Sequence, residues 1–130
     1  MKVILASGKR KRSIARAVLK EGKGKIRINK ILLKNYAPLM AQQRLMEPLF
    51  LAGDVANKVD INVKVNGGGW HSQADAARLS IAKALAEYDK KLRKPFLEYD
   101  RHLLVADVRH KETRKPNDSK ARRSRQFSKR

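Results

Sequence analysis

Lys58-Val59-Asp60-Ile61-Asn62-Val63-Lys64-Val65-Asn66, running into Gly67-Gly68-Gly69, is the stretch whose reading decides the fold. Val59, Ile61, Val63 and Val65 alternate without a break with Lys58, Asp60, Asn62, Lys64 and Asn66. A period of two sends alternate side chains to opposite faces, so this is a strand with one face in a core and the other turned away from it. The three glycines end it. A helix is expected from about Ser72 to Asp89, where Ala74, Ala77, Ile81, Ala84, Leu85 and Tyr88 fall on one stripe. The stripe is rich in alanine, which lets a helix lie close to a sheet, and Ser72 with Asp75 fits an S-x-x-[DE] cap.

The flanking sequence completes the plan. Ser13 to Lys20 reads as a strand through Ile14, Val18 and Leu19. Glu21-Gly22-Lys23-Gly24 is a turn, and Lys25 to Asn29 is expected to return as the second strand of a hairpin. Arg44 to Leu51 reads as a short helix whose start Pro48 limits. A second short helix is expected before or across Pro95, and Leu103-Leu104-Val105-Ala106 is a candidate final strand. The sum is an α+β fold: a two-layer sandwich of a mostly antiparallel four-stranded sheet with helices on one face. There is no internal repeat.

Composition sets the class of partner. The 130 residues suit one domain, since domains run about 100–200 residues. With 42% apolar residues there is material for one modest core. Lys and Arg number 32 against 12 Asp and Glu, a net charge of +20. Residues 1–27 carry +9 of it and residues 109–130 carry +8, leaving +3 on residues 28–108. A near-neutral middle between two basic ends divides the chain into a globular α+β domain, 1–108, and an extended basic C-terminal tail, 109–130. In the tail only Ala121 and Phe127 are clearly apolar, so it has no core of its own and is expected to order on its partner. Phe127 has two readings, a base-stacking ring or a pin onto protein. So much like charge repels itself unless a polyanion is bound, which makes nucleic acid the first partner to consider.

Several function classes fall away. With no Cys, thiol catalysis, disulfides and Cys-ligated metals are excluded. No apolar run approaches the about 18 residues of a membrane span, and the opening Met1 to Ala6 is too short for a signal peptide, so a soluble intracellular protein is expected. The glycines match neither a P-loop nor a Rossmann turn. Ser80-Ile81-Ala82-Lys83 matches S-x-x-K without its companion elements. His71, His102 and His110 are scattered and form no metal set. No enzyme, metal or cofactor is expected. Trp70 reads as a packing anchor. The RNP1 pattern and the GXXG loop are absent, and aromatic residues make up only 5%, leaving recognition of nucleic-acid backbone by arms and basic loops. A histone-like packaging protein is the rival reading that the charge alone permits.

Four motifs then carry a resemblance. Gly8-Lys9-Arg10-Lys11-Arg12-Ser13-Ile14-Ala15-Arg16-Ala17 resembles the opening of the universal small-subunit ribosomal protein S-nine family. Asp60 to Gly69 is similar to its strand and triple-glycine turn. Ser72-Gln73-Ala74, Ala77-Arg78 and Ile81-Ala82-Lys83-Ala84-Leu85 resemble its helix, and Gln126-Phe127-Ser128-Lys129-Arg130 its ending. The motifs run in family order from residue 8 to residue 130. Tyr99-Asp100-Arg101 with Leu103 to Asp107 resembles archaeal and eukaryotic members and the closing residues resemble bacterial ones, so the branch stays open with the archaeal type favoured.

The resemblance implies a ribosomal protein S-five domain-two-like fold and a place in the head of the small subunit, in the cytoplasm. The partners it implies are the 3′ major domain of the small-subunit rRNA, neighbouring head proteins and the anticodon stem-loop of the P-site tRNA. It makes Ser128, Lys129 and Arg130 the tRNA contacts. Lys9, Arg10, Lys11, Arg12 and Arg16, with Arg122, Arg123, Arg125 and Gln126, become the rRNA contacts, and Gly67, Gly68 and Gly69 the structural turn.

Overall fold

A computed structural model describes residues 3–36, 38–109, 112–117 and 120–122. Within them five strands form one sheet: β1 (Ile4–Arg10), β2 (Ser13–Glu21), β3 (Ile26–Ile28), β4 (Ile31–Leu32) and β5 (Val59–Asn66). Their spatial order is β1-β2-β5-β3-β4. All neighbours are antiparallel except β3 and β5, which run parallel. Three α-helices accompany them, α1 (Leu39–Ala52), α2 (Trp70–Tyr88) and α3 (Arg93–Tyr99), with short 3₁₀ turns between. The architecture is α+β, with a mostly antiparallel sheet and helices, as the periodicities require.

The β5 alternation holds at every position: Val59, Ile61, Val63 and Val65 are buried, while the intervening residues are exposed or half-buried. Helix α2 covers β1, β2 and β5 and is itself covered by α1. Being enclosed on two sides, it buries more than the expected stripe: Ala76, Arg78, Leu79, Ser80 and Ala82 join Ala74, Ala77, Ile81, Ala84 and Leu85. Phe96 of α3 and Leu103 close the end of the core with no exposure. Each such large apolar side chain contributes about 1.5–3 kcal/mol when fully buried. The small residues on α2 bring its backbone very near β1. A Cβ at Gly8 would lie 2.3 Å from the carbonyl oxygen of Ala76 and 2.8 Å from the nitrogen of Ser80.

Several local expectations are corrected. The strands at Ser13–Lys20 and Lys25–Asn29 do not pair as a hairpin, because β5 inserts between them. What closes their connection is the Asp60 carboxylate of β5. Its Oδ1 accepts from the backbone N–H groups of Lys23, Gly24 and Lys25 at 2.9–3.1 Å. The hairpin partner of β2 is instead β1, whose polar residues hid it. The stretch at Leu103 is a 3₁₀ turn (Arg101–Leu103) running into a bend, not a strand, and the sheet has five strands rather than four because β1 and β4 join the three expected ones. Pro48 lies inside α1, buried, rather than near its start. Ser72 does not cap α2. The cap position is Gly69, without a side-chain bond, and Asp75 faces Arg10 and Arg44 instead.

The short β3 is lengthened by a side chain. At Asn29, with φ 50°, the main chain leaves the strand. Its amide then does what the next residue of a strand would do: Val65 N–H donates to Asn29 Oδ1 at 2.9 Å, and Asn29 Nδ2 donates to Val65 O at 3.2 Å. Asparagine tolerates that left-handed conformation better than most residues.

Candidate nucleic-acid interface

The β1–β2 hairpin closes in two residues, Lys11 and Arg12, between the paired Arg10 and Ser13. Lys11 sits at φ 54°. The alternation along β1 and the tight loop leave Lys9, Lys11 and Arg12 exposed at one end of the sheet.

The turn from β5 into α2 packs against this tip. Gly67 and Gly68 adopt φ 81° and 64°, a region that favours glycine. Space demands glycine there as well. A Cβ on Gly67 would lie 2.6 Å from the Arg12 carbonyl oxygen, and one on Gly68 would lie 2.2 Å from Ser13 Oγ. Ser13 is buried and donates to the Gly67 carbonyl at 2.8 Å, fastening hairpin to turn. Gly69 is free of both constraints: its φ is −92° and a Cβ would meet nothing within 4 Å. Beyond it, Trp70 is 42% exposed and stacks on His71 at 3.8 Å, so it is not the packing anchor expected of it.

Hairpin tip, glycine turn and residues 106–109 and 112–114 enclose an open groove of about 1210 Å³. Lys9, Lys11, Arg12, Arg109 and Arg114 line it, with Asp107 and Glu112 among them. Cationic side chains gathered beside a helix N-terminus suit phosphate oxygens.

Arg10 points the other way, toward the helix layer. It is half-buried, with Nη1 at 3.0 Å from Asp107 Oδ2 and Nε at 3.7 Å from Asp75 Oδ2. Asp75 also takes Arg44 of α1. Asp107 receives the Arg109 guanidinium through two nitrogens, at 3.0 and 2.7 Å, which holds its carboxyl well below the usual carboxylate range. Deeper in, Arg78 of α2, 6% exposed, joins Glu47 at 2.6 Å and Asp100 at 3.0 Å. Burial pushes the Asp100 carboxyl up. The His102 N–H and the Arg78 guanidinium outweigh that and leave it lowered. These ion pairs tie the hairpin, α1, α2 and the chain after α3 into one frame beside the groove.

Sequence reasoning missed this frame. Its one visible signal was Arg78 in the otherwise apolar and small run Ala76 to Ala82, since a charge there is almost never buried without partners. Of the expected site residues, Lys9, Lys11 and Arg12 meet at the groove, Arg10 lies in the ion-pair frame, and Arg16 stands on the open face of the sheet. Arg122 is forked onto Glu112, with Nε 2.8–2.9 Å from both carboxylate oxygens. Arg123, Arg125, Gln126, Phe127, Ser128, Lys129 and Arg130 lie outside the described residues. Among the described residues no three His, Cys, Asp or Glu side chains group to hold a metal ion, and no helix is long and apolar enough to cross a membrane.

Residues 8–130 match the model of a protein family described as ribosomal protein S9/S16. The small ribosomal subunit protein uS9 of Methanothrix thermoacetophila is 47% identical over 117 residues, which cover 88% of this chain and 89% of that protein.

Proposed function

The chain belongs to the ribosomal protein S9/S16 family, and on that premise we propose that it is a structural constituent of the small ribosomal subunit, binding rRNA in the head and reaching P-site tRNA through its C-terminal tail. One observation carries the rRNA reading, and it joins the globular part to the first residues of the tail. Lys9, Lys11, Arg12, Arg109 and Arg114 converge on a single groove in a chain of net charge +20. The archaeal relative's description as a small-subunit protein supports the assembly into which it fits.

The labour divides along the chain. Residues 1–108 form the globular unit that takes the 3′ major domain of the rRNA, with Lys9, Lys11, Arg12 and Arg16 toward RNA and Arg10 tethering the hairpin that presents them. Residues 109–130 are the tail. Arg122, Arg123, Arg125 and Gln126 line its route through RNA, and Ser128, Lys129 and Arg130 meet the anticodon stem-loop. The mechanism is positional, not catalytic, and uses no cofactor. Cations neutralise phosphates that otherwise repel one another, and released counterions make affinity fall with salt, with a slope of about −0.7 to −0.9 per phosphate. The working place is the cytoplasm, beside other head proteins and away from any membrane.

Ultraviolet crosslinking in native cells, with the bound RNA sequenced and crosslinked peptides mapped, tests this directly. Reads confined to the head of the small-subunit rRNA, with tRNA anticodon-loop fragments on the last peptide, are expected. A diffuse spread over messages, or recovery of DNA, overturns the reading. Deleting Lys129 and Arg130 is expected to weaken tRNA retention in the P site while subunits still assemble. Loss of assembly from that deletion refutes the division between globular part and tail.

A further inference from the structure

The sheet has a second face that no helix covers, and its charges are arranged in a line. Register places the open-face residues in rows. Lys9 of β1 lies opposite Ile14 of β2, which lies opposite Asn66 of β5. Two residues along, Arg16 of β2 lies directly opposite Lys64 of β5. Two residues further, Asn62 of β5 lies opposite Arg27 of β3. Lys9, Arg16, Lys64 and Arg27 therefore step diagonally across four neighbouring strands, one cation from each, and all four are exposed.

Among the described residues, no carboxylate on these strands stands within this line. Asp60 is the one carboxylate on the open face of these strands among the described residues. It stands opposite Lys20, with its Oδ1 already accepting three backbone N–H groups. Arg16 and Lys64 face each other as like charges at Cβ separations of about 4.5–5.5 Å, an arrangement that is destabilising in a free sheet. A phosphate seated between them turns that repulsion into two attractions. None of the open-face residues on the four strands is aromatic: beside the aliphatic Leu5, Ile14 and Val18, the face offers charge and amide donors to a backbone and no platform for stacked bases.

We propose that this open face is a second RNA-binding surface, along which one phosphate backbone runs diagonally over Lys9, Arg16, Lys64 and Arg27, continuing from the groove at the hairpin tip. The inference rests on the ribosomal reading above for the identity of the RNA. The track itself rests on strand register and on the single carboxylate, Asp60, among the described open-face residues of the four strands.

The test uses the full chain with Arg27→Gln and Lys64→Gln together, titrated over a range of salt against a transcript of the 3′ major domain of small-subunit rRNA. Loss of two phosphate contacts is expected to make the log–log salt slope shallower by about 1.4–1.8. Lys90→Gln with Lys94→Gln, exposed on the helical side, is the control and is expected to leave the slope unchanged. An unchanged slope in the sheet variant, or an equal change in the control, overturns the proposal. So does a sheet variant that keeps the RNA slope but loses a ribosomal protein neighbour from purified subunits, since the face then belongs to protein. If the wild-type chain fails to prefer this transcript over unrelated RNA of equal length, the ribosomal reading itself is what fails. The sheet variant is expected to melt at or above the wild-type temperature, because it removes a like-charge pair. Should it melt lower, hydroxyl-radical footprinting of the wild-type complex decides, with protection of the β2 and β5 peptides supporting the track and full reactivity there refuting it.

Discussion

The two faces of the sheet are built from the same strands and answer to different physics. Toward the helices stand Gly8, Ala15, Ala17, Val63 and Val65, against Ala76, Ala77 and Ile81 of α2. That face is governed by volume: the strand–helix gap is so narrow that β1 has room for no side chain at residue 8. Away from the helices stand Lys9, Arg16, Lys64 and Arg27, governed by charge and free of steric demand. An error on the first face costs folding. An error on the second leaves the fold intact and, on the proposal above, costs RNA affinity. On that proposal a period-two pattern separates what the chain needs to fold from what it needs to bind.

The sharpest way to break the comparison is Gly8→Val. With the Cβ already inside the contact distance of two α2 backbone atoms, strand and helix must part, and we expect a loss of about 3 kcal/mol or more in urea unfolding. A near wild-type midpoint refutes the claim that volume governs that face. Arg78→Ala comes next. It strands Glu47 and Asp100, which are partly exposed, so the expected cost is about 2–3 kcal/mol, below that of a fully buried pair. An effect under about 0.5 kcal/mol shows that the ion-pair frame does not hold the layers together.

Acid gives the smallest and most graded test. Asp60 is lowered first by its hydrogen bond from the Lys25 N–H and further by those of Lys23 and Gly24, and Asp100 is lowered as well. A carboxyl whose folded pKa lies below its unfolded value of about 4 contributes stability that is complete above that value and lost as pH falls through the folded pKa. Thermal stability is therefore expected to be flat near neutrality and to decline below about pH 4. Asp60→Asn keeps an acceptor for the three N–H groups but nothing to titrate, so its decline is shallower. An identical acid profile in that variant contradicts the assignment.

Much of this was legible in the chain because it is local. β5 declares itself by nine residues of strict alternation, α2 by its alanine-rich stripe, and the basic ends by counting. The misreadings share one cause. β1 carries Ser7, Gly8, Lys9 and Arg10, a polar run with no apolar alternation to mark a strand, yet Gly8 is there because a helix backbone passes over it. β2 and β3 look like a hairpin because they are near in sequence. The pairing is decided by β5, which enters from about 40 residues away and takes the position between them. Likewise Asp75 suits a helix cap by spacing, but two arginines from other elements claim it.

The sequence alone determined the α+β class, the sign and placement of the charge, the near-neutral middle and the family to which the motifs point. These follow from periodicity and composition, which neighbouring residues fix among themselves. The strand order, the fastening of hairpin tip to glycine turn through Ser13, the burial of Arg78 among its carboxylates and the diagonal of cations across four strands were decided only by the tertiary structure. Each depends on the separation of groups far apart in the chain, and close packing in three dimensions sets that separation.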